Sequence, residues 1–445
     1  MISRGEPINN LPCTLCTMTV MYGKWSVWNW VINILTKLHQ ECMIMDDTDR
    51  DDTLLDKADQ IIITPGIPPS HNIYQVYGHK IKGELDVCWD IIHHNHLEDQ
   101  IHMIWITWTD GKSTTSWITY NIIKQLCDNQ IINDKHYHVL LWGNFEPPVS
   151  DLISTIVDTQ IWVSQDTIQH HWILVVEVSS FMASMIHSCE FDWSIFTNFN
   201  VDHLNRHPDM KHYFQSKSNL IIHTHHQGFV HPELIEPLHE TGINNIVAYP
   251  LDFDLSHTHF MWAHNSMNRS ASIQCLQALC HELSIPFIID STIIWSIKPL
   301  HHRTEYIATI DGVRIISDAH GLTGQAQESA IRSFDEKIVL ICGWSDKGFD
   351  FHELDATYRH YVGASFCFGQ TKDHFQWVFS ALNIPCFTYD EFDQCIYDAF
   401  SYCKEHTIWV LLFSPGCASF DMFRNREERA NKRMMIISTL WGKWL

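Results

Sequence analysis

The chain has 445 residues, too many for one ordinary core and enough for about three units at roughly 150 residues each. It carries 29 Lys and Arg against 52 Asp and Glu, a net charge of −23, which argues against a nucleic-acid clamp because such binding is driven by clustered basic charge. Hydrophobic residues make up 45% and charged residues 18%, and no apolar run approaches the ~18 to 20 residues of a spanning helix, which excludes a disordered chain and a membrane helix.

Small anions must then be held locally, by backbone N–H groups and a few placed cations. The 31 His begin to protonate just below neutrality, so the net charge should shrink between pH 7 and pH 6. Glycine is scarce, 18 in 445 where roughly 7% is usual, so a nucleotide-binding chain of this composition needs its few glycines at the right turns. The opening MISRGEPINN has no apolar core of signal-peptide length, which makes the cytoplasm the expected compartment. The 14 Cys are expected there as reduced thiols. Cys13 and Cys16 form a CxxC with no second pair at finger-like spacing and read as small apolar residues ahead of the first strand.

Short runs of Ile, Val and Leu alternate with helix-length polar segments, the pattern of buried parallel strands in an α/β protein. In chain order the predicted strands are Cys42–Met45, Ile61–Ile63, Ile101–Ile106, Val139–Leu141, Leu174–Val178, Ile195–Thr197, Lys337–Ile341 and Ile408–Phe413. In open α/β sheets ligands bind beyond the carboxyl ends of strands. Those ends carry Asp46, TPGIPP, TWTDGKSTT, WGNFEPP, EVSSF, TNFNVDH, CGWSDKGFDF and SPGCASFDMF, which together hold most of the chemically useful residues. Composition shifts near 93–100 and 297–306 divide the chain into expected units of 1–98, 99–300 and 301–445. No internal repeat or low-complexity tract is visible.

Gly111-Lys112-Ser113-Thr114 follows an apolar strand and opens a predicted helix. In that geometry a loop and a helix N-terminus cradle phosphate, Lys reaches the terminal phosphates and the Ser hydroxyl binds Mg²⁺. The full GxxxxGK[ST] is absent because Ile106 occupies the first glycine position. Glu177 ends a buried strand, where an unpaired charge is costly, and it suits a second ligand for the nucleotide's metal; a hydrogen-bonded strand-end Glu is the alternative. After the next strand come Asp202, His203, Asn205, Arg206 and His207, then Pro208 at the first turn of a helix that carries Lys217. The clusters His93, His94, His96 and His223, His225, His226 lie in polar segments without matching carboxylates and read as surface.

Taken in order, TxTDGKSTT, GN, EVSSF, TNFNVDHLNRH…K, HNSMN, HHRTE, SDKGFDF and SPGCASFDMF resemble the Mur ligase family, in its D-glutamate-adding branch, from about Thr19 to the C-terminal helix. The resemblance implies three domains: a Rossmann-like unit for a UDP sugar, a central P-loop-type ATPase with a parallel sheet, and a Rossmann-like C-terminal unit that closes over the nucleotide and binds D-glutamate. It implies an ADP-forming ligase of peptidoglycan precursor synthesis, a cytoplasmic monomer without nucleic-acid or membrane partners, that joins D-glutamate to UDP-N-acetylmuramoyl-L-alanine. The substrate carboxylate would first be phosphorylated by ATP, and the amine would then displace phosphate.

By the same resemblance, Thr109, Asp110, Gly111, Lys112, Ser113 and Thr114 meet the ATP phosphates, and Asn268, Arg303 and Asp318 meet the rest of the nucleotide. Ser113 and Glu177 would hold one Mg²⁺, and Glu177, His203 and a carbamylated Lys217 a second. Gly23, Lys24, Asp46, Thr64, Gly66 and Asn144 would contact the UDP-muramoyl substrate. Lys347, with the backbone of Ser419 and Phe420, would receive D-glutamate, so that Lys112, His203, Lys217 and Lys347 form the implied catalytic set.

The chain departs from the family's pattern at Trp25 and Trp108, which replace small residues beside phosphates, and at Asp110, which adds an anion there. His320 and Leu322 stand where the family has Lys and Thr, Arg426 where it has an aromatic, and Gly416 where it has Ala. Two readings therefore stay open, a working D-glutamate-adding ligase and a Mur-like fold with weak nucleotide binding and impaired catalysis. A folylpolyglutamate synthase-like relative would share the ATPase core, but SDKGFDF and SPGCASFDMF argue against it.

Overall fold

The computed structural model describes residues 18–23, 31–32, 35, 41–107, 109, 111–127, 131–143, 149–163, 168–201, 203–204, 206–251, 263–298, 300–321, 323–344 and 350–417. Cys13, Cys16, Lys24, Trp25, Trp108, Asp110, Asn144, Asp202, Asn205, Leu322, Lys347, Ser419, Phe420 and Arg426 lie outside the described residues. Among those described, the strands form three sheets.

The first sheet has the order β2-β1-β3-β4, from β1 (Met18–Tyr22), β2 (Glu41–Met45), β3 (Gln60–Ile63) and β4 (Ile81–Lys82), all parallel. The central sheet runs β11-β10-β9-β5-β8-β7-β6. Its strands are β5 (Ile101–Thr107), β6 (Ile131–Ile132), β7 (Lys135–Trp142), β8 (Gln169–Glu177), β9 (Phe191–Phe196), β10 (Thr224–Val230) and β11 (Ile246–Ala248). Only β6 pairs antiparallel, against β7. The third sheet runs β12-β13-β17-β14-β15-β16, from β12 (Glu305–Ile310), β13 (Val313–Ser317), β14 (Ile338–Cys342), β15 (Val362–Phe368), β16 (Cys386–Tyr389) and β17 (Val410–Phe413), with an antiparallel β12–β13 hairpin at one edge. The α/β class expected from the alternating apolar runs is the class observed.

The chain forms two compact units, one of Met1–Tyr249 with Ala271–Ile288 and the other of Pro250–Ser270 with Ile289–Leu445. The first holds the first and central sheets together. Residues of both contribute to one core, including Met21 and Ile62 from the first and Trp105, Trp142 and Leu174 from the second. Two buried carboxylates on the helix Glu84–His94 add directional contacts. Glu84 Oε1 accepts from Ser150 N at 3.0 Å, and Asp86 accepts from the backbone N–H groups of His187, Ser188 and Cys189 at 2.9–3.1 Å. Burial alone would raise the Asp86 pKa, but the His187 side chain and these N–H donors outweigh it and hold the carboxyl below its ordinary value. In the second unit the core is rich in aromatics, with Trp344 edge-on to Phe368 at 4.5 Å.

Each predicted strand has an observed counterpart, with shifted ends. β7 begins at Lys135 where Val139 was expected, β8 begins at Gln169 where Leu174 was expected, and Val178 falls just past β8. Their first residues, KHYH and QHH, are mostly polar and rich in histidine, so an apolar-run criterion passes over them although the ladder includes them.

Candidate functional site

The carboxyl ends of β5, β8 and β9 meet the segments that carry the predicted phosphate and metal residues. β5 ends at Thr107, and after it Gly111, with φ of +95°, opens the helix Lys112–Cys127. Ser113 and Thr114 are buried in the first turn, where orphan N–H groups and the helix dipole favour an anion. Thr109 ties the loop to the segment after β9: its Oγ1 accepts from Asn200 N at 3.0 Å and lies 3.3 Å from Tyr213 Oη. Lys112 Nζ donates to the Thr109 carbonyl at 3.1 Å, so the cation sits over its own loop.

Glu177 is 4% exposed at the end of β8. Its position is bounded by Gly143, just past β7: a Cβ added there would lie 2.3 Å from the Glu177 Cβ, so only glycine permits the approach. Lys217, on the helix Met210–Ile222, is 1% exposed, with Nζ 3.4 Å from Thr107 Oγ1 and 5.0 Å from the centre of the Tyr213 ring. Thr107 Oγ1 in turn donates to the Val178 carbonyl at 3.0 Å, one residue beyond Glu177. His203 has φ of +57°, and its ring lies 5.0 Å from Phe181 and 6.1 Å from Tyr213. Thr109, Glu177, His203 and Lys217 thus converge through Thr107, Tyr213 and the EVSSF turn. Beside them His207 meets Ser180 Oγ at 3.0 Å, and burial, with the nearby Arg206 and Lys217, lowers its pKa.

A buried carboxylate, a serine hydroxyl at a helix start and an imidazole form a mostly hard donor set that fits Mg²⁺ completed by water. Lys217 as an ammonium would repel that ion, whereas a carbamylated nitrogen would present it with a carboxylate.

Of the predicted sugar-substrate residues, Gly23, Asp46, Thr64 and Gly66 lie just past the carboxyl ends of strands of the first sheet. Gly23, φ +98°, donates its N–H to Met45 O at 2.8 Å and packs so closely on Thr64 that a Cβ would lie 2.3 Å from Thr64 Cγ2. Asp46 accepts from Thr48 N at 2.7 Å and so caps its own turn. Thr64 is buried, Gly66 is exposed, and the turn between them is closed by Ile67 N to Thr64 O at 3.1 Å. Arg206 joins this turn to the His203 loop: Nη2 donates to the carbonyls of Pro65 and Ile67 at 2.9 and 2.7 Å, with the guanidinium 5.1 Å from the Phe181 ring. In the sequence Arg206 stands only as one member of the DHLNRH run. Its spacing of three residues from His203 across a tight loop was the available signal.

In the second unit, Asn268 is buried, and Asp318 follows β13 with its carboxylate accepting from Thr304 N at 3.2 Å and Ser414 Oγ at 2.8 Å. Burial raises the Asp318 pKa to about 7 against the opposing pull of Ser414, Arg303 and Thr304. Asp318 therefore fixes the turn that bears Arg303. His320 stacks on His302 at 5.9 Å, with its backbone N–H donating to the His302 carbonyl.

Residues 106–270 match the family model described as the Mur ligase middle domain. The chain is 29% identical over 412 residues to the UDP-N-acetylmuramoylalanine--D-glutamate ligase of Aquifex aeolicus, covering 87% of this chain and 89% of that one. It is 25% identical to the protein of the same name from Saccharophagus degradans, over 93% of this chain and 89% of that one. Among solved structures, the MurF ligase of Thermotoga maritima in complex with ADP superposes with a TM-score of 0.57 at 15% identity, over 88% of this chain and 92% of that one. A pseudomurein peptide ligase type C from Methanothermus fervidus gives 0.54 at 12% identity, over 95% of this chain and 100% of that one. These two establish likeness of fold. The ordered motifs, the middle-domain match over residues 106–270 and the relatives aligned along most of the chain agree in likening it to the Mur ligase family.

Proposed function

We propose that the chain is an ATP-dependent, ADP-forming amide ligase that adds D-glutamate to UDP-N-acetylmuramoyl-L-alanine, working in the cytoplasm as a single chain. The observation that carries this reading is the buried cluster of Glu177, Lys217 and Thr107 beside the Lys112–Ser113 helix start, together with the names borne by its full-length relatives. Phosphoryl transfer needs positioning and charge neutralisation more than a side-chain nucleophile, and this end of the sheet supplies both.

Ser113, Glu177, His203 and carbamylated Lys217 would hold Mg²⁺, which when bound neutralises the β- and γ-phosphates. The N–H groups of the Gly111–Thr114 turn cradle the phosphates, and Lys112 turns from the Thr109 carbonyl to the terminal phosphate. A carboxylate oxygen of the substrate alanine attacks the γ-phosphorus, giving the acyl phosphate and ADP. The D-glutamate amine then attacks the acyl carbon, loses a proton and expels phosphate. Thr64–Gly66, Gly23 and Asp46, with Lys24 and Asn144, orient the UDP sugar. Arg303, positioned by Asp318, and Asn268 contact the nucleotide, and Lys347 with Ser419 and Phe420 receives D-glutamate. Phosphate release from ATP and Mg²⁺ is expected to require both UDP-N-acetylmuramoyl-L-alanine and D-glutamate. Release that ignores either one, or none at high protein concentration, overturns the reading.

A further inference from the structure

Both sites above use the carboxyl ends of strands. At the amino end of the central sheet, β7 and β8 pair in parallel with His136 opposite His170 and His138 opposite Trp172. Residues two apart on a strand share a face, and register partners on neighbouring strands share it too, so His136, His138 and His170 project from one side. The His136 and His138 rings lie 4.4 Å apart, and the His138 Nε2 and His170 Nδ1 atoms 2.8 Å apart. One nitrogen from each of the three falls within 4.8 Å of the others, the sole such trio of His, Cys, Asp or Glu among the described residues. All three rings are half-buried, and Trp172 stacks on His138 at 5.4 Å, closing one wall.

We infer that His136, His138 and His170 bind a divalent transition-metal ion of the zinc type through three imidazoles, with water in a fourth position. Tetrahedral coordination at about 2.0–2.1 Å per nitrogen spaces the ligand atoms about 3.3 Å apart, a spacing these rings reach with modest side-chain rotations. Imidazole donors favour Zn²⁺, Cu²⁺ or Ni²⁺ over Mg²⁺, so this site and the oxygen-rich set around Glu177 select different ions. Lys135, the neighbouring cation on β7, alternates to the opposite face and does not compete. The two strands are rigid members of a seven-stranded sheet, which holds the ligands in place before the ion arrives. The bound ion would staple β7 to β8 and add stability by mass action. This inference is independent of the proposed ligase activity.

The test uses the full chain with Mg²⁺ in excess, titrated with Co²⁺ and then Zn²⁺. One Co²⁺ per chain with visible bands of tetrahedral type, displacement by Zn²⁺ and a melting point raised by several degrees are expected. A His138→Asn/His170→Asn variant should weaken Co²⁺ binding at least tenfold, while His225→Asn/His226→Asn leaves it unchanged. Equal binding by the first variant, or equal loss in the second, overturns the assignment. Should the double variant not fold, X-ray absorption of the zinc-loaded wild-type chain decides: a first shell with three nitrogens of imidazole type supports the site, and a shell dominated by carboxylate oxygen or sulfur refutes it.

Discussion

The two ends of the central sheet are built on different principles. At the carboxyl end, Lys217, Glu177 and Thr109 are each held by a partner from another segment: Thr107, Gly143 and Asn200. At the amino end, the histidines of β7 and β8 are brought together by strand alternation and register alone. A site assembled from several connections is sensitive to any one of them. A site written into two adjacent strands depends mainly on its own side chains, and its loss should leave the distant chemistry intact.

The largest expected effect is at Lys217. Lys217→Ala should lower substrate-dependent phosphate release by about 10²–10³-fold, with partial rescue by short-chain carboxylic acids. Full activity in that variant would break the contrast at its strongest point. Gly143→Ala comes next: the new Cβ must displace Glu177, so turnover should fall about 100-fold. Unchanged kcat would show that Glu177 tolerates a shifted backbone. Arg206→Ala removes the donor to Pro65 and Ile67 and should raise KM for the UDP sugar more than it lowers kcat, with about 1–3 kcal/mol lost in denaturant unfolding. An effect confined to kcat would place Arg206 in the chemistry instead of in positioning.

The smallest effect on turnover belongs to the amino end. His102 and His171 face each other at 3.3 Å. Burial, followed by the neighbouring histidine for His102 and by Lys135 for His171, pushes their pKa values down to about 3 and about 4. Both are depressed below the unfolded value near 6.5, so their contribution to stability is complete above about pH 6.5 and lost as pH falls towards 4. His102→Gln should flatten the acid limb of a stability profile while phosphate release at pH 7.5 stays unchanged. An unaltered acid limb would remove His102 as its origin. Asp318, raised to about 7, runs the other way in the second unit: its contribution declines as pH rises from about 4 to about 7.

What could be read in advance follows the same division. The GKST turn and Glu177 at a strand end stand out because phosphate and metal chemistry call for those residue types there, whereas Lys217 is singled out only by the family resemblance. Gly143 is visible in the sequence only as the glycine of the GN motif, and its reason, a carboxylate on the neighbouring strand, is a tertiary distance with no sequence spacing. Arg206 gave only a local hint. The trio on β7 and β8 carries no comparable signature: HYH and QHH fall outside the apolar runs, and only the ladder places them inside strands. The 93–96 and 223–226 groups, by contrast, are crowded in sequence yet form no ligand trio among the described residues.

The Asp86 carboxylate accepts its backbone N–H partners from residues up to 103 positions later in the chain. During synthesis at roughly 5–20 residues per second, the helix that bears it is complete many seconds before residues 187–189 exist. Until then a carboxylate destined for a buried, fully hydrogen-bonded position has only water to satisfy it. The amino-terminal sheet should therefore reach its final amide-exchange protection only once β9 has been made, and a nascent chain stopped near residue 150 should be cleaved by protease within its first hundred residues far faster than one stopped beyond residue 230.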